Sequence, residues 1–541
     1  MQLHGSKELS PDSTRDGKSR QLSNSLVRLG ITVILLASLL LSLPGCKVPK
    51  EPSVKEPEIV VNPKLVKTIS VDGLIIPSDT VFQSLSPDQS FLLAANTGPE
   101  GSKLLLLPVT GEDTEPILVE SVSKEWLTDT WFDYRPLGWI SDDEFMYAKM
   151  GWQPSGDHEG ERGACFVIGE VENATGQVST DEVAFLPLSY YDSSLQILFL
   201  PQQGQIYMNN RTTIWRLDIS ERTLTALKDD LPDYLYRQPI PSPDGKFFVY
   251  ELNEEERSGI FLFDTDTKKE RPLLITGDTI SFYPAWSFDG NYIAAYAVER
   301  KEDAEGTAWQ DYNFFEGEDM PMNIGSSIVI VDTGGNIIDR IEMEDEYLHY
   351  FVWAQNQNVL GFLSGYLRDQ EQFEEWMYLP VIFDTVWMGK ITQDKKVDLV
   401  NLGNVPKDDE GDFMQISQIV FDPSCQGMYC NVYGNGTWYF SEHQEPVRIA
   451  EGPWTDWVDG KSPVYGGAVV GLTDTTEGHK GFFLFEGPKA TKFDEVECNW
   501  AMVVGFSDQY LAIFAGHSQG EYMSWPESGD LLIYQMLDGA D

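Results

Sequence analysis

The segment Gly516-His517-Ser518-Gln519-Gly520 follows the apolar run YLAIFA and fits G-x-S-x-G, a spacing that sets a serine hydroxyl on a sharp turn within reach of an activating base. That chemistry needs more than the string. A helix must follow the serine, and an acid and a histidine must come later in the chain. Residues 519–541 contain no histidine, and Trp525-Pro526 interrupts a helix early. The segment reads as a hairpin whose glycines serve its turn, and no catalytic residue is assigned. Only a histidine from elsewhere in the chain, His158, His349, His443 or His479, would reverse this by approaching Ser518.

Metal and cofactor chemistry find no better support. Asp142-Asp143-Glu144, the pair Asp264 and Asp266, and the group Asp408, Asp409, Glu410 and Asp412 are hard oxygen clusters, yet none fits the twelve-residue calcium loop. Solvated charge accounts for them, and Asp264 with Asp266 is expected to end a strand and bond its own turn. Cys425 and Cys430 flank a turn with no histidine nearby, so they read as turn and strand residues and not as zinc ligands. No phosphate-cradling, dinucleotide, heme or H-E-x-x-H motif is present, and no cofactor and no metal are assigned. Lys plus Arg total 38 against 86 Asp plus Glu, a net charge of −48 that repels phosphate backbones, so nucleic acid is excluded as a partner.

What positions side chains here is a repeated strand pair. Ser242-Pro243-Asp244-Gly245-Lys246 precedes FFVYEL and then GIFLFDTDTKKERPL. Pro243 presets φ, Asp244 bonds neighbouring amides, and Gly245 accepts positive φ. Close copies stand at Ser86-Pro87-Asp88 before FLLAANT and at Trp286-Ser287-Phe288-Asp289-Gly290 before YIAAYAVE; looser ones follow Trp139, Trp353 and Phe421. These SPDG-type turns resemble the blades of TolB-like and WD-repeat-like β-propellers, and the resemblance spans roughly residues 70–541. It implies an all-β ring of four-stranded blades. Nine starts fall near residues 85, 139, 203, 242, 286, 353, 422, 465 and 508. Rings of seven or eight blades are what the resemblance implies, so eight blades are expected, with one weak start absorbed into a neighbour and seven or nine left open. KLVKTISV (64–71) is expected to pair with C-terminal strands such as LLIYQML (531–537) and close the ring, removing two exposed sheet edges.

Aromatic residues supply the binding candidates. Of the fifteen tryptophans, Trp139, Trp286 and Trp353 hold equivalent places just before the turns and are expected to pack between blades. Trp454 and Trp457, in EGPWTDWVDG, suit an exposed platform. The insertion 299–323 breaks the strand rhythm and carries Trp309, Tyr312, Phe314 and Phe315. Loops on a rigid scaffold are where binding residues collect, so these six are the candidate ligand-binding residues.

The N-terminus reads as an address. An apolar run from Leu29 to Leu43 follows Arg15, Lys18, Arg20 and Arg28, too short for a bilayer span and suited to an export signal. It ends at Leu43-Pro44-Gly45-Cys46, which resembles the bacterial lipobox; the resemblance implies lipidation of Cys46. Residues 1–45 are the expected lipoprotein signal peptide, 46–67 a Pro/Lys/Glu-rich tether, and 68–541 the propeller. The expected protein is lipid-anchored to the bacterial cell membrane on its extracytoplasmic side. It is expected to act as a non-catalytic binding or scaffold module for a protein, peptide or envelope ligand. A hydrolase or lyase with its site at the channel mouth is the alternative.

Overall fold

The computed structural model describes residues 61–538 apart from 77–82, 99, 112–114, 130, 173–174, 190–194, 211, 232–237, 254–257, 276–278, 300–326, 344–346, 368–380, 406–415, 433–434, 452–454, 457–463, 466, 477, 518–525 and 527. The SPDG turn shows why its residues recur. Ser242 Oγ donates to Asp244 at 2.8 Å and accepts the amide of Phe247 at 3.0 Å, while Gly245 sits at φ 70° and donates its amide to the Ser242 carbonyl. The turns at Ser86 and Ser287 repeat both serine hydrogen bonds. Where Gly245 and Gly290 stand, the first turn has Gln89, which takes a φ of 63° despite its side chain.

Each turn joins the first two strands of an antiparallel sheet, and the described residues form nine such sheets. By outer limits, blades 1 to 8 span 74–123, 132–187, 196–228, 240–274, 279–342, 347–404, 416–450 and 455–497. Blade 9 takes its first three strands from Trp500–Phe506, Tyr510–His517 and Ser528–Asp538 and its fourth from Val61–Asp72 at the other end of the chain. The expected count of eight is thus corrected to nine. Every one of the nine starts marks a blade, and the weak turns were the ones undervalued. In blade 3 a short 3-10 turn, Pro201–Gln203, replaces the Ser-Asp closure, yet four strands still pair around it. Strand pairing and buried apolar faces hold a blade together, so its turn motif is free to decay.

Nine apolar clusters join neighbouring blades, one for each interface around the ring. The seal between blades 9 and 1 gathers Ile69, Val71, Phe514, Leu531 and Ile533 with Leu92, Leu105 and Leu107. The terminal strands run antiparallel, with Lys64 opposite Gln535 and Ile69 opposite Leu531, and the pairing starts at Val61, upstream of the residue-68 boundary drawn from composition. Lys67, buried on the closing strand, donates to the Pro108 and Thr110 carbonyls at the edge of blade 1.

Antiparallel order gives the ring two unlike faces. Connections from first to second and from third to fourth strand lie on one, here the turn face. The other, the loop face, carries the second-to-third connections and the links between blades. Among the described residues no helix is long and apolar enough to cross a membrane.

Candidate functional site

Trp309, Tyr312, Phe314, Phe315, Trp454, Trp457 and Cys46 all lie outside the described residues. So does Ser518; on either side of it the strands Tyr510–His517 and Ser528–Asp538 pair antiparallel, with Gly516 opposite Gly529. A side chain at Gly516 would meet Pro526 at 2.6 Å, which explains that glycine by packing. Asp264 accepts the amides of Asp266 and Thr267 and closes its own turn. Trp139, Trp286 and Trp353 each donate the indole N–H to a backbone carbonyl of another blade's inner region, Ser84, Ile240 and Ala285, at 3.0–3.1 Å. They are struts between blades.

Cys165, Cys425, Cys430 and Cys498 are free and buried. Burial pushes the Cys165 thiol up to about 12, and the Cys425 and Cys498 thiols up to about 11, so none is a ready nucleophile. Cys165 lies opposite Lys149, whose Nζ is 2.7 Å from Glu182 Oε1, and the nearby Tyr147 hydroxyl donates to Glu120 on blade 1 at 2.7 Å. The Tyr534 hydroxyl reaches Asp494 on blade 8 in the same manner. The two tyrosine contacts tie neighbouring blades together, and the Lys149–Glu182 pair lies within blade 2. Among the described residues no group of three or more His, Cys, Asp or Glu side chains is placed to hold a metal ion.

Two aromatic features remain, and neither was singled out from the sequence. The first is on the loop face of blade 2. Trp131 and Trp152 are 44% and 39% exposed, and the Trp152 amide donates to the Trp131 carbonyl at 3.0 Å. Between them in space lies Gly151 at φ 109°, where a Cβ would come within 2.2 Å of the Trp131 carbonyl oxygen. The Arg162 guanidinium stands 5.8 Å from the Trp131 ring centre, close enough for cation–π attraction. The adjoining loop 153–161 carries the exposed Asp157, Glu159 and Glu161. It is anchored at its base by Gln153, whose Nε2 donates to the Lys149, Gly151 and Gly163 carbonyls.

The second feature lies on the inner strands of blades 5 and 6. Tyr283 and Tyr350 occupy equivalent positions, three residues before Trp286 and Trp353, and both adopt left-handed backbone with φ of 57° and 58°. Each sits where the strand slips register, between Phe282 and Ala285 and between His349 and Val352. Glu251 of blade 4 accepts the Tyr283 amide at 3.1 Å. Tyr283 packs edge-on to Tyr296 at 6.1 Å between centroids, Tyr296 meets Phe351 at 4.6 Å, and the Phe351 amide donates to the Tyr296 hydroxyl at 3.3 Å. Tyr350 is 40% exposed, and burial raises its phenol above the ordinary value, so it stays neutral.

Neither a family model nor a curated protein matches this sequence. Solved structures do. The chain is similar to Kuenenia stuttgartiensis hydrazine synthase at 13% identity, with 69% of this chain and 80% of that one covered and a TM-score of 0.30. It is also similar to Porphyromonas gingivalis dipeptidyl peptidase 4 at 11% identity, covering 84% of this chain but 59% of that one, with a TM-score of 0.42. An oligogalacturonate lyase solved in complex with manganese matches at 10% identity, 70% and 97% coverage and a TM-score of 0.34. The nine interlocked sheets of this chain establish the β-propeller by themselves.

Proposed function

We propose that this chain is a lipid-anchored, extracytoplasmic β-propeller that binds a protein, peptide or envelope ligand through its loop face without catalysing a reaction. Cys46 is the lipid attachment site in this reading, and the residues ahead of the ring tether the body to the bacterial cell membrane. The observation that carries it is the exposed Trp131–Trp152 pair beside Arg162, held on strand ends by Gly151 and rimmed by the acidic loop 153–161. Large aromatic side chains left in solvent on a rigid frame and bordered by polar groups mark an interaction surface. Capture of partners from envelope extracts by the full chain, compared with a Trp131→Ala/Trp152→Ala double variant, tests the surface; equal capture by both refutes it. Metabolic lipid labelling of a Cys46→Ser variant tests the anchor, and continued labelling would show that Cys46 carries no lipid.

A further inference from the structure

Two tryptophans exposed on one face of a lipid-tethered ring have two uses. They are either anchors that sink among the lipid headgroups or the centre of a surface that meets a protein. The strand that closes the ring separates these uses.

Val61–Asp72 is the outermost strand of blade 9, and its register fixes which of its ends lies on which face. Lys64 stands opposite Gln535 and Gln535 opposite Tyr510, whose amide donates to Ser507 Oγ in the turn between the first two strands of that blade. This end therefore belongs to the turn face. Ser507 Oγ also donates to Gln89 at 2.8 Å and Gln89 Nε2 to Asp508 at 3.0 Å, which ties the same turn to that of blade 1. At the other end Asp72 stands opposite Ser528 and Ser528 opposite His517, on the two sides of the second-to-third connection. The strand thus runs from turn face to loop face, and the chain enters the ring at the turn-face rim.

Length then sets a limit. Fifteen residue steps separate Cys46 from Val61, and they span at most about 50 Å however they are arranged. The closing strand has 12 residues, which at about 3.3 Å each make it about 40 Å tall. To lay the loop face on the bilayer, the tether would have to run back outside the full height of that strand. About 10 Å would remain for the lipid attachment and for the crossing from blade 9 to blade 2, two blades round the ring. The net charge of −48 is repelled by anionic headgroups, so no electrostatic pull offsets such a stretch.

We infer that the ring hangs from the turn-face rim of blade 9 with its loop face turned away from the anchoring membrane, so that Trp131 and Trp152 meet a protein approaching from the side opposite that membrane. They do not insert into its lipid. This rests on the lipid-anchor reading and adds where the partner must stand.

The test uses the full lipidated chain in phosphatidylcholine–phosphatidylglycerol liposomes with an energy-transfer acceptor on the headgroups. A single donor dye is placed on Asp142→Cys, at the turn face of blade 2, or on Ser155→Cys, in the loop-face loop 153–161. Both positions are exposed, whereas Cys165, Cys425, Cys430 and Cys498 are buried. The second strand of the blade, Glu144–Trp152, separates the two dyes by about 30 Å, so transfer from Asp142 should exceed that from Ser155 roughly twofold or more. Inserting about thirty Gly and Ser residues into the tether should bring the two towards equality, because the longer chain can pass the closing strand. Equal transfer from both dyes, or stronger transfer from Ser155, overturns the inference. So does a ratio that the longer tether leaves unchanged, since its reach would then not set the orientation. A Cys46→Ser chain should stay in solution; its flotation with liposomes, abolished by Trp131→Ala/Trp152→Ala, would make the indoles membrane anchors and also overturn the inference. A wild-type chain that does not float ends the lipid-anchor reading and this inference with it, whereas a floating chain with the wrong ranking of dyes ends the inference alone.

Discussion

The turn face and the loop face are made from the ends of the same strands, yet they are built by opposite rules. On the turn face, Ser86, Ser242 and Ser287 repeat one closure with the same two serine hydrogen bonds. The turns are also linked to one another. Gln89 donates to Asp508, Gln203 to the Asp244 carbonyl, Asn358 to Asp289, and Asn356 to the Pro423 carbonyl. On the loop face the connections differ in length from blade to blade, and two tryptophans stand in solvent. One face sets register and spacing, which leaves the other free to vary without loss of the ring.

The largest expected effect follows from that division. Replacing Ser86, Ser242 and Ser287 together by alanine removes a hydroxyl that both donates and accepts at each turn, at about 1 kcal/mol apiece, and sites on separate blades should add to about 3 kcal/mol. Urea unfolding measures it, and a combined loss under about 1 kcal/mol would mean that the turn face is not the stiff one. Acid should expose the same feature. Burial pushes the Asp88, Asp244 and Asp289 carboxyls up. Hydrogen bonds from Ser86 and Ser90, from Lys246 and Ser242, and from Asn358, Asn291 and Ser287 outweigh it and hold all three below the ordinary 3.8. A carboxyl lowered by folding adds stability above its unfolded value and loses it as pH falls through the folded one. Stability should therefore drop as pH falls below about 4, and less steeply in the triple serine variant.

Gly151→Ala is the next effect, and it probes a stiff point on the loop-face rim. With φ at 109° and the Trp131 carbonyl 2.2 Å from a new Cβ, alanine must push apart the two paired strand ends that carry Trp131 and Trp152. A loss of about 1–2 kcal/mol is expected from the backbone strain, together with weaker partner capture. Wild-type melting and capture in this variant would show that the close approach at Gly151 does not hold the tryptophan rim.

Most of the ring could be read from residue order, because its determinants are local. Pro, Asp and Gly at fixed offsets announce turns, alternation announces strands, and KLVKTISV had no partner nearer than the C-terminus. The blade count went astray because the resemblance implied seven or eight blades, so one weak start was expected to merge with a neighbour; Pro201–Gln203 and Val464–Tyr465 lack the serine-aspartate signature, yet cross-strand burial spread over many residues holds their blades. The binding surface was less legible. Trp131 and Trp152 meet only through the register of two strands, in which Phe132 pairs with Gly151. Tyr283 and Tyr350 gave no sign of left-handed backbone, since tyrosine in a strand is ordinary and the strain comes from the bulge that tertiary packing imposes.

The smallest expected effect sets one residue type against itself in the two regions. Trp353 ends an inner strand near the turn face and donates its indole N–H to Ala285 at 3.1 Å, so Trp353→Phe leaves that carbonyl without its donor and should cost about 1 kcal/mol. Trp152 is 39% exposed on the loop face, and Trp152→Ala should change stability by no more than about 0.5 kcal/mol. Thermal melts of the two variants would rank them, and partner capture should rank them the other way, falling for Trp152→Ala and holding for Trp353→Phe. If Trp152→Ala destabilises the ring as much as Trp353→Phe does, its exposed indole is part of the scaffold, and the distinction between a face that holds the ring and a face that binds would fail at the residue chosen to display it.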